Sequence, residues 1–174
     1  MRYVTISLAA GLCALALACK TNDLIRLEPT IEEERPLSSS LNFRRQPGSD
    51  QLVRGFFDLQ DGYWRWTAPQ FEVILAAPKS APERGATLIL EFSLPDPSIA
   101  ALKNVTLSAK VNRTPLAPQT YSTSGEQEYR RDVLASAFVA HDVIVDFSVD
   151  KFLTPRNDGR NLALVATGIR LEPK

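Results

Sequence analysis

Cysteine is scarce in this 174-residue chain: there are two, Cys13 and Cys19, both close to the N-terminus. From Lys20 onward no thiol is left for a disulfide, so a folded region there must hold together by its core alone. Histidine is scarcer still, with His141 standing by itself. A lone imidazole cannot build a multi-histidine metal site. Neither sign of charge is in excess, because 20 Lys and Arg balance 20 Asp and Glu with the signs interspersed. Nothing in that pattern suits nucleic acid. After the N-terminal segment no apolar run is long enough to span a bilayer. Helices alternating with parallel strands are also missing, which excludes a dinucleotide-binding fold.

The N-terminus carries a secretory pattern. Met1-Arg2 gives a positive start, and Tyr3 to Leu17 is apolar apart from Thr5, Ser7 and Cys13. The run is too short to cross a bilayer and closes on small residues. Its end, Ala16-Leu17-Ala18-Cys19, resembles the lipobox of bacterial lipoproteins, although Ala16 stands where Leu is commonest. The resemblance implies a signal peptide over residues 1–18, cleavage before Cys19, and lipid (palmitate) on that cysteine. An ordinary signal peptide cleaved near Ala18 is the alternative. The implied address is the bacterial cell envelope, with a membrane partner reached through the N-terminal lipid. Lys20, where Asp would favour inner-membrane retention, favours the outer membrane.

Residues 19–50 read as a lipidated cysteine and flexible tether. Glu32-Glu33-Glu34-Arg35-Pro36, Ser38-Ser39-Ser40 and Arg44-Arg45-Gln46-Pro47-Gly48 show little hydrophobic periodicity. Such a segment buries too little apolar surface to offset the entropy of ordering. Leu24-Ile25-Arg26-Leu27 as an edge strand is the rival reading. From residue 51 to residue 174 the period becomes two. Phe71, Val73 and Leu75 alternate with Glu72 and Ile74; Leu88, Leu90, Phe92 and Leu94 with Ile89, Glu91 and Ser93. Val105 to Val111 and Val143 to Val149 repeat the pattern, and a last run from Leu162 ends near Ile169 and Leu171. Alternation of this kind marks strands with one buried and one wet face. Turn residues separate the runs, as in Pro78 to Gly85 and Asn157-Asp158-Gly159, and Ser98 to Lys103 can make one helical turn. The fold class is therefore all-β, an antiparallel β-sandwich of jelly-roll type.

Catalytic chemistry finds little support. Ser136, His141 and a distant Asp assemble a triad only on paper, since no nucleophile elbow or glycine-rich oxyanion loop accompanies them. Asp146 and Asp150 share a wet strand face but stand too far apart to chelate one ion. Asp58, Asp61 and the Asn157–Gly159 loop match no full calcium loop. Asn104-Val105-Thr106 and Asn112-Arg113-Thr114 are chance glycosylation patterns in a bacterial lipoprotein. The expectation is a protein that is not an enzyme and needs no cofactor and no metal.

The stretch Gly55 to Thr67, GFFDLQDGYWRWT, holds both tryptophans. On a strand Trp64 and Trp66 share one face, and Tyr63 and Arg65 the other. The indoles can form a stacking platform for sugar rings, or they can plug the core. The reading favours the core for Trp66, draws Trp64 the same way, and places Arg65 outside, stacked on Tyr63. Gly55-Phe56-Phe57, Arg65-Trp66-Thr67 and Arg160-Asn161-Leu162-Ala163-Leu164 together resemble carbohydrate-binding modules and galactose-binding-like jelly rolls. Asn161 and Ala163 depart from the Glu and Gly usual there. The resemblance spans Val53 to Leu171 and implies a β-sandwich fold more than a ligand; the leading expectation is non-catalytic binding at the cell envelope, of a glycan. Tyr63, Trp64, Arg65, Asn157, Asp158 and Arg160 are the candidate contacts. The alternative is a structural or assembly lipoprotein that docks an envelope protein through a sheet edge or an apolar patch.

Overall fold

Alternation is visible in the burial of nearly every strand in the computed structural model, which describes residues 36–45 and 50–174. The secretory pattern, Cys19 and the Leu24–Leu27 segment lie outside the described residues. The described residues form ten strands: β1 (Ser40–Asn42), β2 (Leu52–Gln60), β3 (Trp64–Ala76), β4 (Ala86–Leu94), β5 (Val105–Val111), β6 (Thr114–Pro115), β7 (Gln119–Tyr121), β8 (Gly125–Val133), β9 (Asp142–Val149) and β10 (Val165–Pro173). Two short helices, α1 (Ala81–Arg84) and α2 (Asp96–Leu102), fill connections. The helical turn expected after Pro97 is α2. No helix of the described residues is long and apolar enough to cross a membrane.

All pairings are antiparallel, and the strands run in the order β6-β5-β9-β3-β10-β4-β8. The path folds into a two-layer sandwich because β3 belongs to both layers. Its C-terminal half pairs with β9 over Gln70–Ala76, and its N-terminal end pairs with β10 at Arg65 and Trp66. Pro69, which has no N–H to donate, sits at the crossing between the two pairings. Gly55 of β2 lies against that crossing with φ +77, where an added Cβ would come within 2.2 Å of the Gln70 carbonyl oxygen. Only glycine fits such an approach without strain.

One apolar cluster fills the space between the layers. Phe71, Val73 and Leu75 of β3, Val143, Val145 and Phe147 of β9, and Leu107 and Val111 of β5 meet Leu88, Leu90 and Phe92 of β4 and Ile169 and Leu171 of β10. Each such side chain contributes roughly 1.5–3 kcal/mol by leaving water. The rings of Phe71 and Phe147 stack at 4.8 Å, and Phe56 meets Phe71 edge-on at 5.4 Å. In the last run the inward residues pass from Leu164 and Ala166 to Ile169 and Leu171. A bulge between Ala166 and Gly168 produces that change of parity.

The tether reading is corrected at its C-terminal end. Ser40–Asn42 pairs with β10, Leu41 and Phe43 are fully buried, and Phe43 meets Phe56 edge-on at 5.9 Å. Gln51 fastens this segment. Its side chain accepts the Ser38 N–H at 2.9 Å and donates to the Ser38 and Ile74 carbonyls at 2.9 and 2.6 Å. The described residues thus form one compact unit with its own core, and that unit begins well before residue 51.

The sandwich has two distinct ends. The β2–β3 hairpin tip, α2 and the loop over residues 151–164 share one, here the hairpin end. The other, the entry end, collects Ser38, Ala76, α1, the segment from Leu134 to His141, and Lys174. Hydrogen bonds from Ala76 N to Ser38 O (3.0 Å) and from Ala77 N to His141 O (2.7 Å) tie it together.

Candidate functional site

The two indoles decide the site, and they stand outside the core. Thr67, Phe71, Val73 and Leu75 of β3 are fully buried, so odd positions face inward and Trp64 and Trp66 face outward, each half-buried. This corrects the expectation that Trp66 plugs the core. Arg65 is corrected with it: it takes the inward parity, is half-buried, and donates from Nη1 to the Phe57 carbonyl at 2.8 Å. The strand needs its inward face for the Phe71–Leu75 series, and near the hairpin end a long guanidinium can reach a backbone carbonyl there.

The hairpin holds the tryptophans in a fixed geometry. Asp61 and Gly62 both adopt positive φ, 47 and 74, and Tyr63 N–H donates to Gln60 O at 3.1 Å. Asp-Gly is the dipeptide a tight type I′ hairpin favours. The turn puts Asp61 Oδ2 at 3.0 Å from the Trp64 indole N–H. The Trp64 and Trp66 rings then meet edge to face, with centroids 6.4 Å apart and planes at 84°.

Phe57 adds a third outward aromatic. Its neighbour Phe56 packs inward, and the bulged pair Phe57-Asp58 stands opposite Trp66 in the β2–β3 register. The loop after β9 closes over it: the Arg160 guanidinium lies 5.1 Å from the Phe57 ring centroid and pairs with Asp158. The hydrogen bond from Arg160 holds the Asp158 carboxyl below the usual carboxylate range, and the Arg160 guanidinium also feels Asp58. Asn157 is exposed on the same loop.

The structure therefore brings Trp64, Trp66 and Asp61 together, and Asp158 and Arg160 to Phe57. Tyr63 falls into a different setting, exposed in a shallow cavity of ≈ 290 Å³ with Asn42, Arg44, Arg45, Glu91 and Thr167. Its ring carries the Arg44 guanidinium at 4.9 Å, not Arg65. Phe57 and Asp61 belong to the site without being candidate contacts in the sequence, and Trp66, expected in the core, joins Trp64 in the platform that was the alternative. The Phe56-Phe57 pair was the available signal, because adjacent aromatics on a strand must face opposite ways.

A second concavity crosses the outer face of the layer made by β2, β3, β9 and β5. Gln70, Ser108, Lys110, Asp146 and Ser148 line a hollow of ≈ 470 Å³, and a neighbouring one of ≈ 440 Å³ shares Asp146. Arg54 spans it, bonding Glu72 and Asp146 at 3.0 Å each. Residues from four strands build this groove, so no local sequence pattern announces it.

Reactive groups are sparse. His141 is exposed at the start of β9, and its imidazole makes no hydrogen bond with a described residue. Among the described residues no three His, Cys, Asp or Glu side chains gather where they could hold a metal. Asp146 is taken by Arg54, and Asp150 accepts the Thr106 N–H at 2.6 Å. The carboxyls of Asp132, Asp158 and Glu172 are all displaced downward, the opposite of what a general acid requires.

No family model matches the chain, and no curated protein matches it. Among solved structures it is similar to the CBM36-1 domain of a multidomain xylanase from the hindgut metagenome of Trinervitermes trinervoides. That likeness has a TM-score of 0.36 and 10% identity, covering 67% of this chain and 85% of that one. It is also similar to a chain described as CBM4 structure and function, with a TM-score of 0.38 and 14% identity over 78% of this chain and 85% of that one. At scores this low neither likeness assigns a family or a ligand.

Proposed function

We propose that this domain is a non-catalytic glycan-binding module of the bacterial cell envelope, anchored by lipid on Cys19. The observation that carries the reading is the outward, half-buried Trp64–Trp66 pair, fixed edge to face, with Phe57 opposite Trp66 in the β2–β3 register and Arg160 over the Phe57 ring. The C–H faces of a sugar ring are apolar and pack on aromatic rings, while hydroxyls need fixed polar partners. Asp158 and Arg160 supply an acceptor and a donor at the rim. A side-chain pair already held by Asp61 loses little freedom on binding.

The test is a titration of the chain from Lys20 with soluble neutral and acidic polysaccharides, followed by tryptophan emission. Both of its tryptophans lie in the site. The expected result is a saturable shift for one polysaccharide class, weakened about tenfold by Trp64→Ala and by Arg160→Ala. Gln70→Ala, in the groove farther along β3, leaves it unchanged. Binding that survives Trp64→Ala and Trp66→Ala but is lost with Gln70→Ala moves the site to the groove. The anchor is tested apart from the ligand, by palmitate labelling of the full chain in a bacterial host and its loss in Cys19→Ser.

A further inference from the structure

At the entry end, large apolar side chains point into water from a segment that is firmly held. Leu134 is 70% exposed and Val139 86% exposed, the two highest values among the exposed large hydrophobics of the described residues. The segment between them is pinned. Ala137 and Phe138 are buried, a 3-10 turn over Ala135–Ala137 closes with Ala137 N–H on Leu134 O at 3.0 Å, and Asn112 Nδ2 donates to Ala137 O at 2.9 Å. On its far side α1 packs against the same turn, and an added Cβ on Gly85 would meet the Val133 carbonyl at 2.3 Å. Leu134 and Val139 thus flank a rigid turn, and Val139 also borders the ≈ 440 Å³ hollow beside Arg113, Asp142 and Ile144.

We infer that this end of the domain seats on a lipid bilayer, with Leu134 and Val139 entering the interface between headgroups and acyl chains. The inference rests on the lipid-anchor reading above for its occupant. The chain enters the domain at this end, since Ser38 bonds Ala76 and the next residue, Ala77, bonds His141. Residues 20–35, sixteen in number, separate Cys19 from the described unit. Even fully extended, such a segment spans at most roughly 55 Å, so a lipid on Cys19 would limit how far the entry end can stand from the membrane. Lys79, Arg84 and Arg113 stand at this end without an ion pair to a described residue, while Lys174 pairs with Asp132. Glu83 and Asp142 stand there too, so the end is only mildly basic. The apolar tip, not charge, therefore dominates the contact. The Trp64–Trp66 pair lies at the opposite end of the sandwich from Leu134 and Val139.

The experiment is flotation of the chain from Lys20, which holds the whole described unit and no lipid, with vesicles of phosphatidylethanolamine and phosphatidylglycerol. The wild-type chain is expected to float with the vesicles. The double variant Leu134→Ser, Val139→Ser is expected to bind about tenfold less or weaker still, with an unchanged melting temperature because both residues are exposed. Val53→Ser, at an exposed apolar residue on β2, is expected to float like the wild type. A chain that ignores the vesicles overturns the inference, as does a double variant that floats equally well. Failure of the anchor reading shows separately, as absent palmitate label on Cys19 of the full chain, a readout that involves neither Leu134 nor Val139.

Discussion

Trp64 and Trp66 meet edge to face on the outward side of β3, 6.4 Å between centroids, while Thr67 next to them is fully buried. A core tryptophan removed to alanine typically costs about 3–5 kcal/mol. Half-buried outward indoles leave no closed cavity behind. Trp64→Ala and Trp66→Ala are each expected to cost roughly 1–2 kcal/mol, read from the shift in urea midpoint at constant slope. A loss of core size in either variant would return that indole to the interior.

Phe43 makes the opposite prediction. It is fully buried and packs edge-on against Phe56, which in turn meets Phe71. Phe43→Ala is expected to cost about 3–5 kcal/mol, and Leu41→Ala about 2–5 kcal/mol. A chain that starts at Gln51 loses both side chains and the β1–β10 pairing, and is expected to show no cooperative melting by circular dichroism. Cooperative melting of that truncated chain at the wild-type temperature would restore the tether reading.

How much of this was legible depends on how much of each element's burial is local. β4, β5 and β9 each carry four or more apolar residues in strict alternation, and the structure keeps every one of them inside. β1 was missed because three residues flanked by serines and arginines carry too little periodicity; the spaced pair Leu41 and Phe43 was its whole signal. β8 was missed for another reason. It is an edge strand, and Glu126, Glu128, Arg130 and Asp132 turn its wet face into a charge ladder with only Tyr129 and Val133 as buried hydrophobics. On β3 two rules conflicted. Parity counted back from Phe71 puts Arg65 inside and the indoles outside, whereas hydrophobicity alone argues the reverse. Parity prevailed because the backbone continues past Pro69 without changing which face meets the core. The polar groove was invisible, since its residues come from strands far apart in sequence.

Gly55 offers a sharper test of the crossing. Its φ of +77 is strained for any L side chain, and a Cβ there would lie 2.2 Å from Gln70 O and 2.7 Å from Phe71 Cα. Neither backbone atom can yield without moving β3 off its bend. Gly55→Ala is expected to cost more than about 3 kcal/mol, combining backbone strain with the clash. Gly62→Ala is the control: its φ is also positive, +74, but its Cβ would meet nothing within 4 Å. Its cost is expected near 1 kcal/mol. Equal costs at the two sites would mean that the close approach of β2 to β3 contributes nothing.

Tyr121 and Tyr129 are expected to set the alkaline limit of the fold. Tyr129 is fully buried and donates its hydroxyl to Ala117 O at 2.8 Å, and Tyr121 donates to Glu128 O at 3.0 Å. Burial raises both phenols above their ordinary value, and the nearby Arg131 guanidinium only partly opposes it. A phenol whose folded pKa lies above its unfolded one binds more protons in the native state. Its contribution is complete below about pH 10, the unfolded value, and is lost as pH rises toward the folded pKa. Stability is therefore expected to fall steeply above about pH 10, with phenolate absorbance appearing in one cooperative step as the chain unfolds. Tyr129→Phe gives up one hydrogen bond, about 0.5–1.5 kcal/mol at neutral pH, yet it should flatten the alkaline decline because one proton-releasing group is gone. An unaltered slope in both Tyr129→Phe and Tyr121→Phe would assign the alkaline loss to other groups and leave the two phenols as packing alone.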